Sequence, residues 1–151
     1  MLSSDLPIAL PCNYLVDYDD VLGIDLDQAA GDVAVFVVPF KCEVVLPMLA
    51  ISETCAGTTP GQVDFDRRPT IASDTNRGAA DIAHFAMGTT AAGKVLYDKV
   101  GVGTILYPGE EVVVQIAVQP VTGPAGHFRP ILLVKYCPET LANLPDMVET
   151  A

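Results

Sequence analysis

The sequence predicts an all-β chain folded as an antiparallel β-sandwich. Three observations carry that prediction. Short apolar runs with period-two alternation recur along the chain, most plainly over Val112–Val118, and such alternation puts every second side chain on one face of a strand. Twelve glycines and twelve prolines punctuate these runs, as turns between strands require. No segment shows sustained helical periodicity, and about seven or eight strands without helices close into a sandwich or barrel. Pattern alone does not separate a jelly roll from an immunoglobulin-like order.

The first 32 residues hold Asp5, Asp17, Asp19, Asp20, Asp25, Asp27 and Asp32 without one Lys or Arg. Pro7 and Pro11 discourage an early helix. Gly23–Asp27 alternates apolar and acidic residues, as a half-exposed strand does. Residues 1–30 are therefore predicted to be an acidic N-terminal arm that ends in a short strand or strand pair.

Asp32 to Ser52 gives the strongest strand signal. Val33, Val35 and Val37 alternate with Ala34, Phe36 and Val38, so both faces are apolar, as in a strand buried on two sides. Pro39 predicts a bend, and a second run follows over Cys42–Ile51. Thr54–Pro60 reads as a polar loop and Gln62–Phe65 as a short strand. Arg67 to Arg77 is a polar stretch. Asp81–Met87 fits a strand or one helical turn. Gly88–Gly93 is a turn and Lys94–Val100 a strand. Thr104–Tyr107, the Pro108-Gly109 pair and Glu111–Gln119 read as a hairpin-like unit around a type II turn, with Val112, Val114, Ile116 and Val118 on one face. His127–Cys137 closes the fold after a Gly/Pro loop. The sandwich is thus predicted over 31–137, with a C-terminal arm over 138–151.

The chain has 151 residues, a length that fits one domain. Only 18% of them are charged while half are apolar, against about 25% charged in a typical soluble domain. That balance suits either a Val- and Ala-rich β core or a surface covered by another subunit. The net charge of −11, with 8 basic against 19 acidic residues, argues against nucleic acid and against anionic membrane as direct partners. No apolar run reaches the ~18 residues of a membrane-spanning helix, and the N-terminus has no signal-peptide pattern. Assembly in a reducing cytoplasm is the expectation.

Catalysis needs a nucleophile with a base, a metal cluster or paired carboxylates, and the sequence offers none with recognisable spacing. Cys12, Cys42, Cys55 and Cys137 form no Cys-x-x-Cys pair, so neither zinc nor a disulfide is predicted. His84, in Ala83-His84-Phe85, reads as a core or interface histidine, and His127 as structural. Asp17-Tyr18-Asp19-Asp20 suggests calcium, but no Glu closes a calcium loop. A solvated or partner-facing acidic arm is the better reading, with Asp17, Asp19 and Asp20 as contacts. Arg67, Arg68 and Arg77 concentrate positive charge in an otherwise acidic chain, and are read either as part of a solvated loop or as pairing with carboxylates of a partner or of an adjacent subunit's acidic arm. Ala30-Gly31-Asp32 and Tyr107–Glu110 are similar to motifs of trimeric dUTP-hydrolysing enzymes. The glycine- and arginine-rich C-terminal phosphate motif of that family is missing, and the tail Asp146-Met147-Val148-Glu149 is acidic. No enzyme activity, cofactor or catalytic residue is assigned.

The segment Thr104–Ala151 resembles the C-terminal part of small phage capsid decoration, or cement, proteins. The resemblance lies in the Pro-Gly turn before a Val-rich strand, the Gly/Pro loop, the closing run Phe128–Tyr136 and the tail Pro138–Val148. The Val35–Thr59 region is also similar. The resemblance covers about half the chain and is compositional in kind. It implies a jelly-roll-like sandwich, a homotrimer on the outer surface of an assembled head, and the major capsid protein as partner. The competing reading is a carbohydrate- or receptor-binding jelly roll of a phage fibre or tail. The lack of Trp and an aromatic content of 7% weigh against it.

Overall fold

The structure is a computed structural model that describes residues 6–68 and 80–137. Arg77, the predicted C-terminal arm over 138–151 and the first five residues lie outside these. Among the described residues there are eleven strands: β1 (Ile8–Ala9), β2 (Cys12–Tyr14), β3 (Ile24–Asp25), β4 (Gly31–Val37), β5 (Cys42–Ala56), β6 (Gln62–Arg68), β7 (Ala80–Ala86), β8 (Val95–Tyr97), β9 (Ile105–Leu106), β10 (Glu111–Val118) and β11 (Ala125–Tyr136). The undecided segment around Asp81–Met87 is therefore a strand, and the predicted strand at Lys94–Val100 shortens to three residues.

The strands form two antiparallel sheets. In the first, β11 lies between β5 and two short edge strands, β1 and β3, while β8 and β9 flank the other side of β5. The second runs β2-β4-β10-β6-β7. From β3 onward the chain passes back and forth between the sheets, except at the consecutive pairs β6–β7 and β8–β9. The resulting orders, β3-β11-β5-β8 and β4-β10-β6-β7, are those of a jelly roll, two interlocked Greek keys. Connectivity thus answers what residue pattern left open.

The core between the sheets follows from alternation. Phe128, Leu132 and Val134 of β11 and Val44, Leu49 and Ile51 of β5 meet Ala34, Phe36, Val112, Val114, Ile116, Val63 and Phe65 of the second sheet, all buried. Phe65 sits edge-on to Phe85 at 5.2 Å and tilted on Phe36 at 5.6 Å, separations at which aromatic pairs attract beyond simple burial.

Four expectations change. Residues 6–30 do not stand apart as an arm. Leu10, Ile24 and Leu26 are core residues, and β1, β2 and β3 pair with β11, β4 and β11. Asp17, Asp19 and Asp20 lie exposed in the turn before β3 while Leu10, Ile24 and Leu26 turn in, so like charges do not prevent packing, although Leu6, Ile8, Leu15 and Val21 stay exposed. Second, β9 and β10 are not a hairpin. The Pro108-Gly109 turn forms as predicted, with Gly109 at φ 85° and the Glu110 amide donating to the Tyr107 carbonyl at 3.1 Å. It carries the chain from one sheet to the other, because β9 pairs β5 and β10 pairs β4 and β6. Third, Val118 is 37% exposed while Val112, Val114 and Ile116 are buried. A register shift between Ile116 and Val118 turns it out. Fourth, Val37 is exposed, although Val33 and Val35 are buried as the two-sided apolar pattern required.

Candidate functional site

Asp19 organises the turn that leads into β3. Its Oδ1 accepts the Val21 and Leu22 amides, both at 2.7 Å, and these bonds hold its carboxyl below the usual range. The Asp19 and Gly23 backbones exchange two bonds of 2.8 Å. Gly23 is required here: its φ is 93°, and a Cβ would lie 2.6 Å from the Phe128 carbonyl oxygen. Asp17 and Asp20 are exposed, and the Asp20 and Val21 carbonyls accept bonds from Arg129 Nη2 at 2.8 and 2.6 Å. Among the described residues no three His, Cys, Asp or Glu side chains converge as metal ligands.

Neither described arginine of the predicted cluster stands in a solvated loop; both belong to β6. Arg67 points inward and is 11% exposed. Its Nε donates to Glu110 Oε2 at 2.6 Å and its Nη2 to Oε1 at 3.0 Å. Glu110, 2% exposed, also accepts the Tyr107 amide at 2.6 Å. Arg68 points outward and grips Asp32 with two bonds of 2.6 and 3.0 Å. Both guanidiniums are thus spent within the chain. β10 lies between β6 and β4, with Glu111 beside Arg68, Val113 beside Asp66 and Gln115 beside Asp64 and Asp32. The Arg68–Asp32 bridge therefore crosses β10 diagonally over Val113. That accounts for an outward-facing valine only 3% exposed, since an arginine stem shields apolar surface beneath it.

The outward face of the second sheet collects Asp32, Asp64, Asp66, Asp81 and Glu111 against Arg68 and His84. His84 is not a core residue. Strand alternation sends Ala83 and Phe85 inward and His84 outward, 44% exposed. Its ring lies between Asp64 and Asp81, with Nδ1 2.9 Å from Asp64 Oδ1 and Nε2 3.0 Å from Asp81 Oδ2. These contacts, the Asp64 bond foremost, raise its pKa. Burial, then the Asp64 and Asp81 charges, push the Asp66 carboxyl up. The free side of β7 is covered: Asp98 Oδ2 accepts the His84 amide at 2.8 Å. Gly101 packs so close that a Cβ would fall 2.3 Å from the Ile82 carbonyl oxygen, which protects the edge against strand addition.

The outward face of the first sheet has the opposite character. Register places Leu46 beside Leu133, Met48 between Ile131 and Tyr97, and Ala50 between Arg129 and Val95. Val95 is 52% and Tyr97 60% exposed, while the central residues are half-buried by their neighbours. Arg129 apart, the polar side chains of these strands meet toward the two ends, Lys135 with Glu43 at 3.0 Å and the His127 ring with Glu53 at 3.2 Å, and Lys99 Nζ lies 6.0 Å from the Tyr97 ring centre. The sequence pattern assigned none of these residues to a contact surface. The signal was present as two-sided apolarity in the paired runs Cys42–Ile51 and Ile131–Val134, but it was not followed to the outer face.

No family model, curated protein or solved structure matches this chain. The two faces and the turn around Asp19 therefore stand as the candidate sites on their own geometry.

Proposed function

We propose that the chain is a structural assembly protein, a decoration protein that binds the assembled head of a virus and stabilises it. The observation that carries this reading is the contrast between the two outward sheet faces. One is apolar with its few charges already paired, and contiguous apolar surface of that kind marks an interaction site. The other is crowded with carboxylates, and an acidic exterior keeps particles dispersed and repels nucleic acid. A shell-binding protein needs broad contact and no reaction centre, and the resemblance over Thr104–Ala151 points the same way. The test is co-sedimentation. The protein should pellet with assembled heads and not with unassembled major capsid protein. Failure to pellet with heads, or equal binding to both, contradicts the reading.

One observation favours the carbohydrate-binding alternative. Tyr18, 48% exposed, stacks on Tyr14 with ring centroids 4.2 Å apart, in a segment that holds Asp17, Asp19 and Asp20 and binds Arg129 through its backbone. An aromatic ring beside acidic and guanidinium groups suits a sugar. Glycan-array binding that Tyr18→Ala abolishes would establish this reading instead.

A further inference from the structure

We propose that copies of this chain meet through the outward face of the first sheet, around Leu46, Met48, Val95, Tyr97, Ile131 and Leu133. This contact rests on the reading of the chain as an assembly protein and assigns the apolar face to a second copy, which leaves the remaining surface of the oligomer to meet the head. Charge selects the occupant. A chain of net charge −11 repels its own copies wherever carboxylates would meet, and the outward face of the second sheet brings five of them together. The apolar face carries Arg129 in its three central rows, with the Asp20 and Val21 carbonyls as that side chain's acceptors. At one end Lys135 offsets Glu43, and at the other the His127 ring is hydrogen-bonded to Glu53. It is the broad sheet face that brings no cluster of carboxylates together, so two acidic copies meet there with less repulsion than on the second sheet.

Size agrees. Four strands spaced about 4.8 Å apart, over roughly ten residues of β5 at about 3.4 Å each, give a face of roughly 600 Å². A stable interface uses about 800 Å² from each partner, which side-chain relief and adjoining loops can supply. Two copies would lay these faces flat together. Three would turn them toward a common axis. In both arrangements the acidic sheet points outward.

The test is sedimentation velocity of the whole chain over a wide concentration range, with the double variant Val95→Glu/Tyr97→Glu. Both positions are more than half exposed, so the variant should fold, and a thermal melt checks this. The wild type should be a dimer or trimer that dissociates on dilution. The double variant should weaken association roughly 100-fold or more, because it places carboxylates opposite one another in a drying interface. Tyr97→Ser, which adds no charge, should weaken it about tenfold through loss of a central aromatic contact. Val37→Glu, on the other sheet, should leave it unchanged. A monomeric wild type, or a folded double variant that associates as tightly as wild type, overturns the proposal. Head co-sedimentation, run in parallel, separates this from the broader reading. A monomer that pellets with heads overturns only the self-contact. An oligomer that depends on Tyr97 but does not pellet overturns only the decoration role.

Discussion

At the scale of single residues, the charged groups divide by burial. The Arg67–Glu110 pair is enclosed and doubly bonded, so Glu110→Ala leaves a guanidinium in the interior without its counter-charge and should cost about 3–5 kcal/mol. Arg68–Asp32 is more than a third exposed on each side, and Arg68→Ala should cost no more than about 1 kcal/mol. Urea denaturation of the two variants measures both, and equal losses would contradict the assignment. His84 gives a pH dependence. Folding raises its pKa, so the protonated ring stabilises the fold. That contribution is complete below the unfolded value of about 6.5 and is lost as pH rises through the higher folded value. The raised carboxyl of Asp66 has the same sign, but its loss begins at the unfolded value of about 3.9, in the acid range. Asp19 and Glu53 are shifted down, and their effects fall in the acid range below about pH 4.5. The melting temperature should therefore be higher near pH 6 than near pH 7.5, and His84→Gln should flatten the difference; above about pH 8 the thiols of Cys12, Cys42 and Cys55, whose pKa values burial raises, add a loss of the same sign. An unchanged slope in the variant would show that the ring does not carry it.

At the scale of elements, β10 was the most legible part of the chain. It is central in its sheet, so its inner alternation at Val112, Val114 and Ile116 is uninterrupted. Val114→Asp should prevent folding, because the new carboxylate has no partner in the core. Gln115→Lys, facing out beside Asp64 and Asp32, should leave the melt nearly unchanged. The type II turn at Pro108-Gly109 was equally legible, because its geometry is local. Its role as a bridge between sheets was not, since strand pairing is set by partners far away in sequence. The N-terminal strands were missed for a related reason. Two- and three-residue strands carry no measurable period, and a run of aspartates looks like an arm until its edge positions are known. Arg67 and Arg68 look alike in sequence. Only the register of β6 sends one to a buried Glu110 and the other to the surface. Deleting residues 1–22 makes the consequence measurable. It removes β1, β2 and the buried Leu10, whose side chain alone is worth about 1.5–3 kcal/mol. The melting temperature should drop sharply, whereas a detached arm would leave it unchanged.

At the scale of the whole molecule, the jelly roll gives the chain two broad outward faces, and the sequence fills them differently. Five carboxylates share one; aliphatic and aromatic side chains share the centre of the other. Low overall charge content suited a Val- and Ala-rich core as well as a covered surface, and could not locate an apolar face, because adjacent residues of a strand belong to opposite faces and only pairing reveals which rows join. The central claim is that the apolar face is the covered one. Hydroxyl-radical footprinting under assembling and dilute conditions tests it most directly, reading Met48 and Tyr97 on one face and His84 on the other. The account predicts that assembly protects Met48 and Tyr97 and leaves His84 as reactive as before. Protection of His84 with Met48 and Tyr97 unchanged would contradict it.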